Sequence, residues 1–287
     1  MASLKEVKGR IASVNNTRKI TSAMKMVASA KLHKAQAAIE SMLPYERRLH
    51  HILTDFMSNC TEVTSPFIVK REVKKVAVVV FASNTSLCGG FNANVIRHLV
   101  DLLAEYKPLG LENILVFPVG KKVADAVRKL GFRIEGDFQH MADKPSYQEA
   151  AALAADLMKR FLHGDVDKVE LLYNHFKSTA SQILTRETYL PIDLNNEKKE
   201  EERTIDYILE PSAEELMQEM LPKVLRMKMF TVLLDSNAAE HAARTMAMQI
   251  ATDNANELLQ ELTVMYNKSR QQSITNELLD IVGGSMA

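Results

Sequence analysis

The chain has no tryptophan and only two cysteines, Cys60 and Cys88, in 287 residues. Two widely separated thiols form neither the dense framework of a small secreted domain nor the paired spacing of a zinc site, so a reducing compartment is expected. No apolar run approaches the roughly 18 residues that a bilayer-spanning helix needs, and no short apolar stretch follows the start as a secretion signal would. Neither standard secretion nor a membrane span is expected, and any membrane association must come through a partner. Net charge is zero, and no nucleic-acid reading module or interleaved aromatic platform is present, which argues against a nucleic-acid partner.

Catalytic constellations are missing too. The eight histidines are scattered, apart from the adjacent pair His50 and His51, which faces different ways on a helix and cannot clamp one metal as an i, i+4 pair would. No Ser-His-Asp pattern or carboxylate pair stands out. Ser86 to Asn92 forms a strand-to-helix turn with Gly89 and Gly90, but it has neither the G-x-G-x-x-G spacing nor the Walker ending. A tight turn accounts for these glycines, and small-residue packing for Cys88. No catalytic residue, cofactor or metal is expected.

Proline and glycine are absent over one long stretch, and this organises the rest. Between Pro222 and Gly283 there is neither. Ser212, Glu214 and Glu215 read as a helix start, Pro222 as the first turn of a second helix or a kink, and Gly283 and Gly284 as the stop. About 60 residues at 1.5 Å each make a rod of roughly 90 Å, which needs a partner. Leu258, Leu262 and Met265, like Leu216, Met220, Val224 and Met227, repeat at three and four, the period of a coiled-coil seam. Ala238, Ala239, Ala242, Ala243, Ala247, Ala251 and Ala255 form a small-residue tract. It either admits another helix closely or is good helix former on a solvated face.

A second arm opens the chain. Ser3 with Glu6 is a capping box, and Leu4, Val7, Ile11 and Val14 set a stripe that Ile20, Met24 and Val27 resume. Pro44 should bend this helix, which persists to about Met57. The first 50 residues carry ten basic side chains against three acidic, and residues 212 to 287 carry six against ten, so the ends attract. Most of the 15 methionines also lie in the two arms, as adaptable surface or as core filler.

Between the arms, strands at Val73 to Phe81, Asn113 to Val119, Val166 to Phe176 and Gln182 to Leu190 alternate with helices at Phe91 to Tyr106, Lys121 to Leu130 and Tyr147 to Leu162, while Phe132 to Phe138 alternates weakly. The expected fold class is α/β with long helical arms: an antiparallel two-helix coiled coil plus a small central Rossmann-like domain with a mostly parallel sheet. The divisions are 1–58 and 212–287 for the arms, 73–193 for the domain and 194–211 for a charged linker. These features leave open a coiled-coil scaffold with an α/β recognition domain and, less readily, a dinucleotide enzyme with helical appendages.

Three stretches together resemble the gamma subunit of F-type ATP synthases. They are Arg10-Ile-Ala-Ser-Val-Asn-Asn-Thr-Arg-Lys-Ile-Thr-Ser-Ala-Met24-Lys-Met-Val-Ala, then Ala239-Glu240-His241-Ala-Ala-Arg244-Thr-Met-Ala-Met-Gln-Ile-Ala-Thr-Asp-Asn-Ala, and the terminal Ile274-Thr-Asn-Glu277-Leu-Leu-Asp280-Ile-Val-Gly-Gly284. Ser285 replaces the usual alanine, and Asn84-Thr85-Ser86 replaces Asp-Arg-Gly, which removes two charges. The cysteine-bearing insertion of chloroplast members is absent. The resemblance implies a non-catalytic rotor that couples proton flow through a membrane c-ring to alpha and beta catalytic sites for ATP synthesis or hydrolysis. It places the protein peripherally at the cytoplasmic face of the bacterial inner membrane. It also implies that Met24, Arg270, Gln271, Thr275, Glu277, Ile281 and Val282 meet the alpha/beta ring. Leu87, Gly89 and Gly90 fall on the epsilon-subunit or c-ring side.

Overall fold

Two long helices cross a small sheet in the computed structural model, which describes residues 3–59, 65–192 and 213–285. In chain order the elements are α1 (Leu4–Asn59), β1 (Val76–Phe81), α2 (Phe91–Tyr106), β2 (Ile114–Val119), α3 (Lys121–Leu130), β3 (Arg133–Ile134), α4 (Gln139–Asp143), α5 (Tyr147–His163), β4 (Lys168–Ser178), β5 (Ser181–Leu190) and α6 (Ala213–Ser285). The expected Ser212 cap, the linker 194–211 and Cys60 lie outside the described residues.

Ser3 starts α1 as its sequence demands: the Glu6 amide donates to Ser3 Oγ at 3.2 Å and the Val7 amide to the Ser3 carbonyl at 3.1 Å. The helix continues through Pro44. Likewise α6 is one helix that contains Pro222, so that proline neither ends it nor starts another. Gly283 and Gly284 lie inside its last turn rather than stopping it, and helix ends are defined only to a residue or two.

The arms run antiparallel. Arg18 donates to Asn256 Oδ1 at 3.3 Å, and the hydroxyls of Thr21 and Thr252 are 2.8 Å apart, so ascending α1 descends α6. Farther along, Leu32 and Ala35 pack on Ala238 and Ala242. The seam has a strict heptad period: Val7, Thr21, Ala28 and Ala35 are buried on α1, and Met248, Ala255 and Leu262 on α6. This corrects the expected stripe. Ile20 and Val27 are 60% and 58% exposed, and Leu258 and Met265 are 43% and 51% exposed. Threonine, alanine and an arginine stem occupy the middle of the seam, so hydrophobicity alone pointed to apolar residues beside it.

The sheet has the order β3-β2-β1-β4-β5, parallel except for the antiparallel β4–β5 hairpin. β1 is central and covered on both faces, which explains its run of valines. Val76, Val78 and Val80 face a core shared with α2 and α3, while Ala77, Val79 and Phe81 face one shared with α5 and α6. Gly131 closes α3 in the left-handed conformation, φ 76°, as its sequence position implies.

The lower part of α6 does not carry one narrow apolar stripe. Met217, Leu221, Leu225, Met229, Val232 and Leu233 join the core of the sheet and α5, and the buried Tyr189 hydroxyl donates to the Leu225 carbonyl at 2.8 Å. From Leu225 to Arg244 the helix is enclosed on most sides, because the sheet takes one flank as the other arm approaches the opposite one. The alanine tract serves both contacts: Ala238 and Ala242 meet α1, and Ala239 meets Cys88 and Phe91.

Candidate partner-binding surfaces

Three surfaces stand away from the core, and the first is the end of α6. With the arms in the register set by Thr21 and Thr252, Leu4 at the start of α1 lies near residue 269 of α6. The remaining ~16 residues project alone for ~24 Å. On this single helix Ile274, Leu278, Leu279, Ile281 and Val282 are 49–68% exposed. A contiguous apolar surface of this kind on a polar helix marks an interaction site. Arg270, Gln271, Thr275 and Glu277 are exposed on the same segment, and Thr275 merely returns its hydroxyl to the Gln271 carbonyl at 2.9 Å.

Lower on the shaft, Met24 is half-buried beside the seam. Exposed Ile20 and Val27, four residues before and three after it, extend its apolar face along α1, while exposed Met26 lies on another face of the helix. Met24 is therefore some 20 residues of helix, about 30 Å, from the nearer end of α1 and belongs to a different surface from the tip.

The third surface is the turn that follows β1. Leu87 is 60% exposed with φ 68°, a left-handed value that side chains rarely adopt, and Gly89 has φ 59°. Cys88 is buried between them against Phe91 and Ala239. Asn92 ties the turn together: its Oδ1 accepts from the Ser83 amide at 3.1 Å and its Nδ2 reaches Cys88 Sγ at 3.2 Å. A Cβ on Gly89 would stand 3.8 Å from Ala247, so the turn lies against α6. Strands β1 and β4 point their carboxyl ends along α6 towards its tip, as the sequence of contacts Tyr189–Leu225, His175–Asp235 and Ser86–Arg244 demonstrates. Leu87, Gly89 and Gly90 thus occupy the tip-facing end of the domain.

Arg244 and Glu240, whose part the sequence motif did not disclose, fasten this turn. The Arg244 guanidinium donates to the Ser86 carbonyl and, at 3.5 Å, to that of Thr85, and pairs with Glu240 at 2.6 Å. Both are buried. Burial pushes the Glu240 carboxyl above its ordinary value, and Arg244 pulls it only partly back. Next to them His241 is buried, and its Nδ1 has no partner among the described residues; burial, then Lys31 and Arg244, push its pKa down to about 4. An i, i+4 Glu–Arg pair in a helix was legible, but its burial required knowing what the arm packs against.

The remaining perturbed groups are spent on structure. Burial opposes ionisation of Glu170, yet hydrogen bonds from Arg186, Lys168 and Tyr106 hold its carboxyl below the ordinary value. Among the described residues no group of three or more His, Cys, Asp or Glu could hold a metal, and no helix is long and apolar enough to cross a membrane.

Comparison with known proteins agrees over the whole length. A family model described as ATP synthase matches residues 3–287. The ATP synthase gamma chain of Phocaeicola vulgatus is 82% identical, covering 100% of both chains, and that of one Bacteroides fragilis strain is 65% identical with the same coverage. In fold, the chain is similar to a chain of the Euglena gracilis mitochondrial ATP synthase at a TM-score of 0.62 and 20% identity, covering 99% of this chain and 93% of that one. A chain from the central stalk and c-ring of the Tetrahymena thermophila mitochondrial enzyme matches at 0.58 and 22% identity, with coverage of 81% and 99%.

Proposed function

This chain belongs to the ATP synthase gamma-chain family, and from that premise we propose that it turns as the central shaft of an F-type ATP synthase. In this reading, rotation couples proton flow through a membrane c-ring to the conformational cycle of the alpha and beta catalytic sites. The observation that carries it is the antiparallel helix pair ending in a single-helix tip of exposed apolar residues. A scaffold needs a seam; a shaft seated in a ring also needs an exposed apolar end, and Ile274, Leu278, Leu279, Ile281 and Val282 make one broad side of the tip apolar.

The alpha/beta ring encloses the upper shaft, where Arg270, Gln271, Thr275, Glu277, Ile281 and Val282 are exposed, and meets Met24 lower down. The opposite end of the shaft faces the epsilon subunit and the c-ring. The height of Leu87, Gly89 and Gly90 on α6 favours the ring side for that turn over the epsilon or c-ring side implied by resemblance. In this reading the chain itself performs no chemistry: the perturbed carboxyls of Glu170 and Glu240 are engaged in ion pairs. Its bacterial relatives support a peripheral place at the cytoplasmic face of the inner membrane, and among the described residues no helix is long and apolar enough to cross a membrane.

The test is to assemble the chain with its alpha and beta subunits, immobilise the ring, and attach a bead through Lys107→Cys, on the exposed far side of the domain. ATP should drive rotation in one direction. ATP hydrolysis by an assembled complex whose bead only fluctuates would refute the rotor reading.

A further inference from the structure

A small cavity lies where the domain meets the shaft, between the carboxyl ends of β1 and β2, α4 and the middle of α6. Its volume, counted as room for the centre of a water molecule, is about 10 Å³. That is roughly what one water needs, so anything larger is excluded. Phe81, Val119 and Leu233 form its apolar wall, and Ser236, Asn237 and Glu240 of α6 form its polar one. Glu240 stands four residues after Ser236 and three after Asn237, so it neighbours both on the helix surface.

All three polar residues are buried, at 5%, 9% and 6% exposure respectively, and each has an atom that no described residue satisfies. The Ser236 hydroxyl has no hydrogen-bond partner among the described residues. Asn237 spends its Nδ2 on the Ala142 carbonyl at 2.8 Å, which leaves its Oδ1. Glu240 accepts from Arg244 through Oε1 at 2.6 Å, which leaves its Oε2. A buried polar atom without a partner is unfavourable, and most of all on a carboxylate.

We propose that one internal water occupies this cavity and bridges the three side chains, donating to Asn237 Oδ1 and Glu240 Oε2 and accepting from the Ser236 hydroxyl. Two acceptors and one donor match a water's two protons and one of its lone pairs, and about three hydrogen bonds is the usual complement of a buried water. A metal ion does not fit: three side-chain oxygens fall short of the six or more that magnesium or calcium takes, and Arg244 already sits on the same carboxylate. An anion would be repelled by Glu240. The water also has a consequence for charge. Burial raises the Glu240 carboxyl and Arg244 only partly offsets this, whereas a hydrogen bond to the ionised form favours it. The water therefore helps to keep the Glu240–Arg244 pair charged at the junction of domain and shaft. The site is independent of the rotor reading and does not require the assembled ring.

A crystal structure of the full chain at a resolution that shows ordered water is the direct test. One solvent peak is expected at about 2.6–3.2 Å from Ser236 Oγ, Asn237 Oδ1 and Glu240 Oε2. In solution, oxygen-17 relaxation dispersion should count one long-lived internal water fewer in Ser236→Val, which removes the donor and fills the space with methyl groups. No peak in the cavity, a peak at metal-ligand distances of about 2.0–2.5 Å, or an unchanged count in the folded variant would overturn the proposal. If Ser236→Val fails to fold, the crystal structure of the unaltered chain decides alone.

Discussion

Removing Arg244 tests how the β1 turn is held to the shaft. Arg244 and Glu240 form a buried pair at 2.6 Å, and the same guanidinium donates to the Ser86 and Thr85 carbonyls. Arg244→Met keeps most of the stem volume and deletes the charge, leaving a buried carboxylate with no cation on it. Breaking a buried pair from one side costs about 3–5 kcal/mol, more than the pair's net worth, because the remaining charge is uncompensated. Part of this loss must depend on pH. Burial already pushes the Glu240 carboxyl up in the folded chain, and loss of Arg244 pushes it further. A carboxyl raised on folding binds its proton more tightly in the folded than in the unfolded state. Its contribution is therefore full below the unfolded value and is lost as pH rises through the folded one.

Urea unfolding followed by circular dichroism at about pH 5 and about pH 8, on Arg244→Met with and without Glu240→Gln, separates the carboxylate's share from that of His241, whose pKa Arg244 also helps hold down. Arg244→Met should lose more stability at the higher pH. Adding Glu240→Gln should restore the pH-dependent part and leave the part due to the lost carbonyl contacts. Equal losses at both pH values, or a loss that Glu240→Gln does not relieve, would refute the claim that an uncompensated buried carboxylate is the cause.

The seam, the domain and the shaft surface each give a further expectation. Thr21→Val and Thr252→Val should each cost about 1 kcal/mol in thermal or urea unfolding, with the double variant losing less than the sum, since it leaves no hydroxyl facing an apolar group across the seam. Gly120→Ala should destabilise by about 3 kcal/mol or more, because its φ is 115° and a Cβ would lie 2.1 Å from the Ala82 carbonyl oxygen; unchanged unfolding would mean that this turn yields easily. Met24→Lys, on the half-buried flank of the seam, should impair proton pumping in reconstituted vesicles more than ATP hydrolysis and barely change unfolding of the lone chain. Losses in strict proportion to assembled complex would place its effect on assembly instead.

The sequence carried the type and order of the long elements with little ambiguity. α2 and α3 begin and end where helical periodicity and Gly131 put them, and the valine run of β1 marks a strand covered on both faces. The seam register was harder to read. Heptad positions hold Arg18, Thr21, Ala28 and Thr252, while Ile20, Val27, Leu258 and Met265 stand one place away and are exposed. Apolar residues outside a seam are an error in a lone helix pair but are expected where another protein covers the pair, so in the rotor reading hydrophobicity records a second interface beside the seam. Short α4 was missed because five residues give too little periodicity to distinguish a helix from a turn.

The same helix, α6, passes through three environments, and the order of these bears on how force travels. Its first part is core to the sheet and α5, its middle is paired with α1, and its last ~16 residues are alone. The first transition has no hinge: the buried stretch from Leu225 to Arg244 contacts both neighbours, and the Arg244–Glu240 pair and Asn237, whose Nδ2 donates to the Ala142 carbonyl at 2.8 Å, tie domain to shaft there. A torque applied to the domain therefore reaches the helix pair through packed side chains and not through a linker. The tip is different. An isolated helix of this length is marginal in water, so its order depends on whatever encloses it. Fully burying one large aliphatic side chain contributes about 1.5–3 kcal/mol, and five such residues are exposed on the tip. That stabilisation does not depend on a bond angle and spreads over the broad side of the helix that Ile274, Leu278, Leu279, Ile281 and Val282 share, whereas an ion pair is strongest at one angle. In the rotor reading, an apolar tip thus combines retention in the ring with freedom to turn. Placing a charge at Ile281 would retain the length of the shaft but introduce an angular preference, the property a bearing must lack.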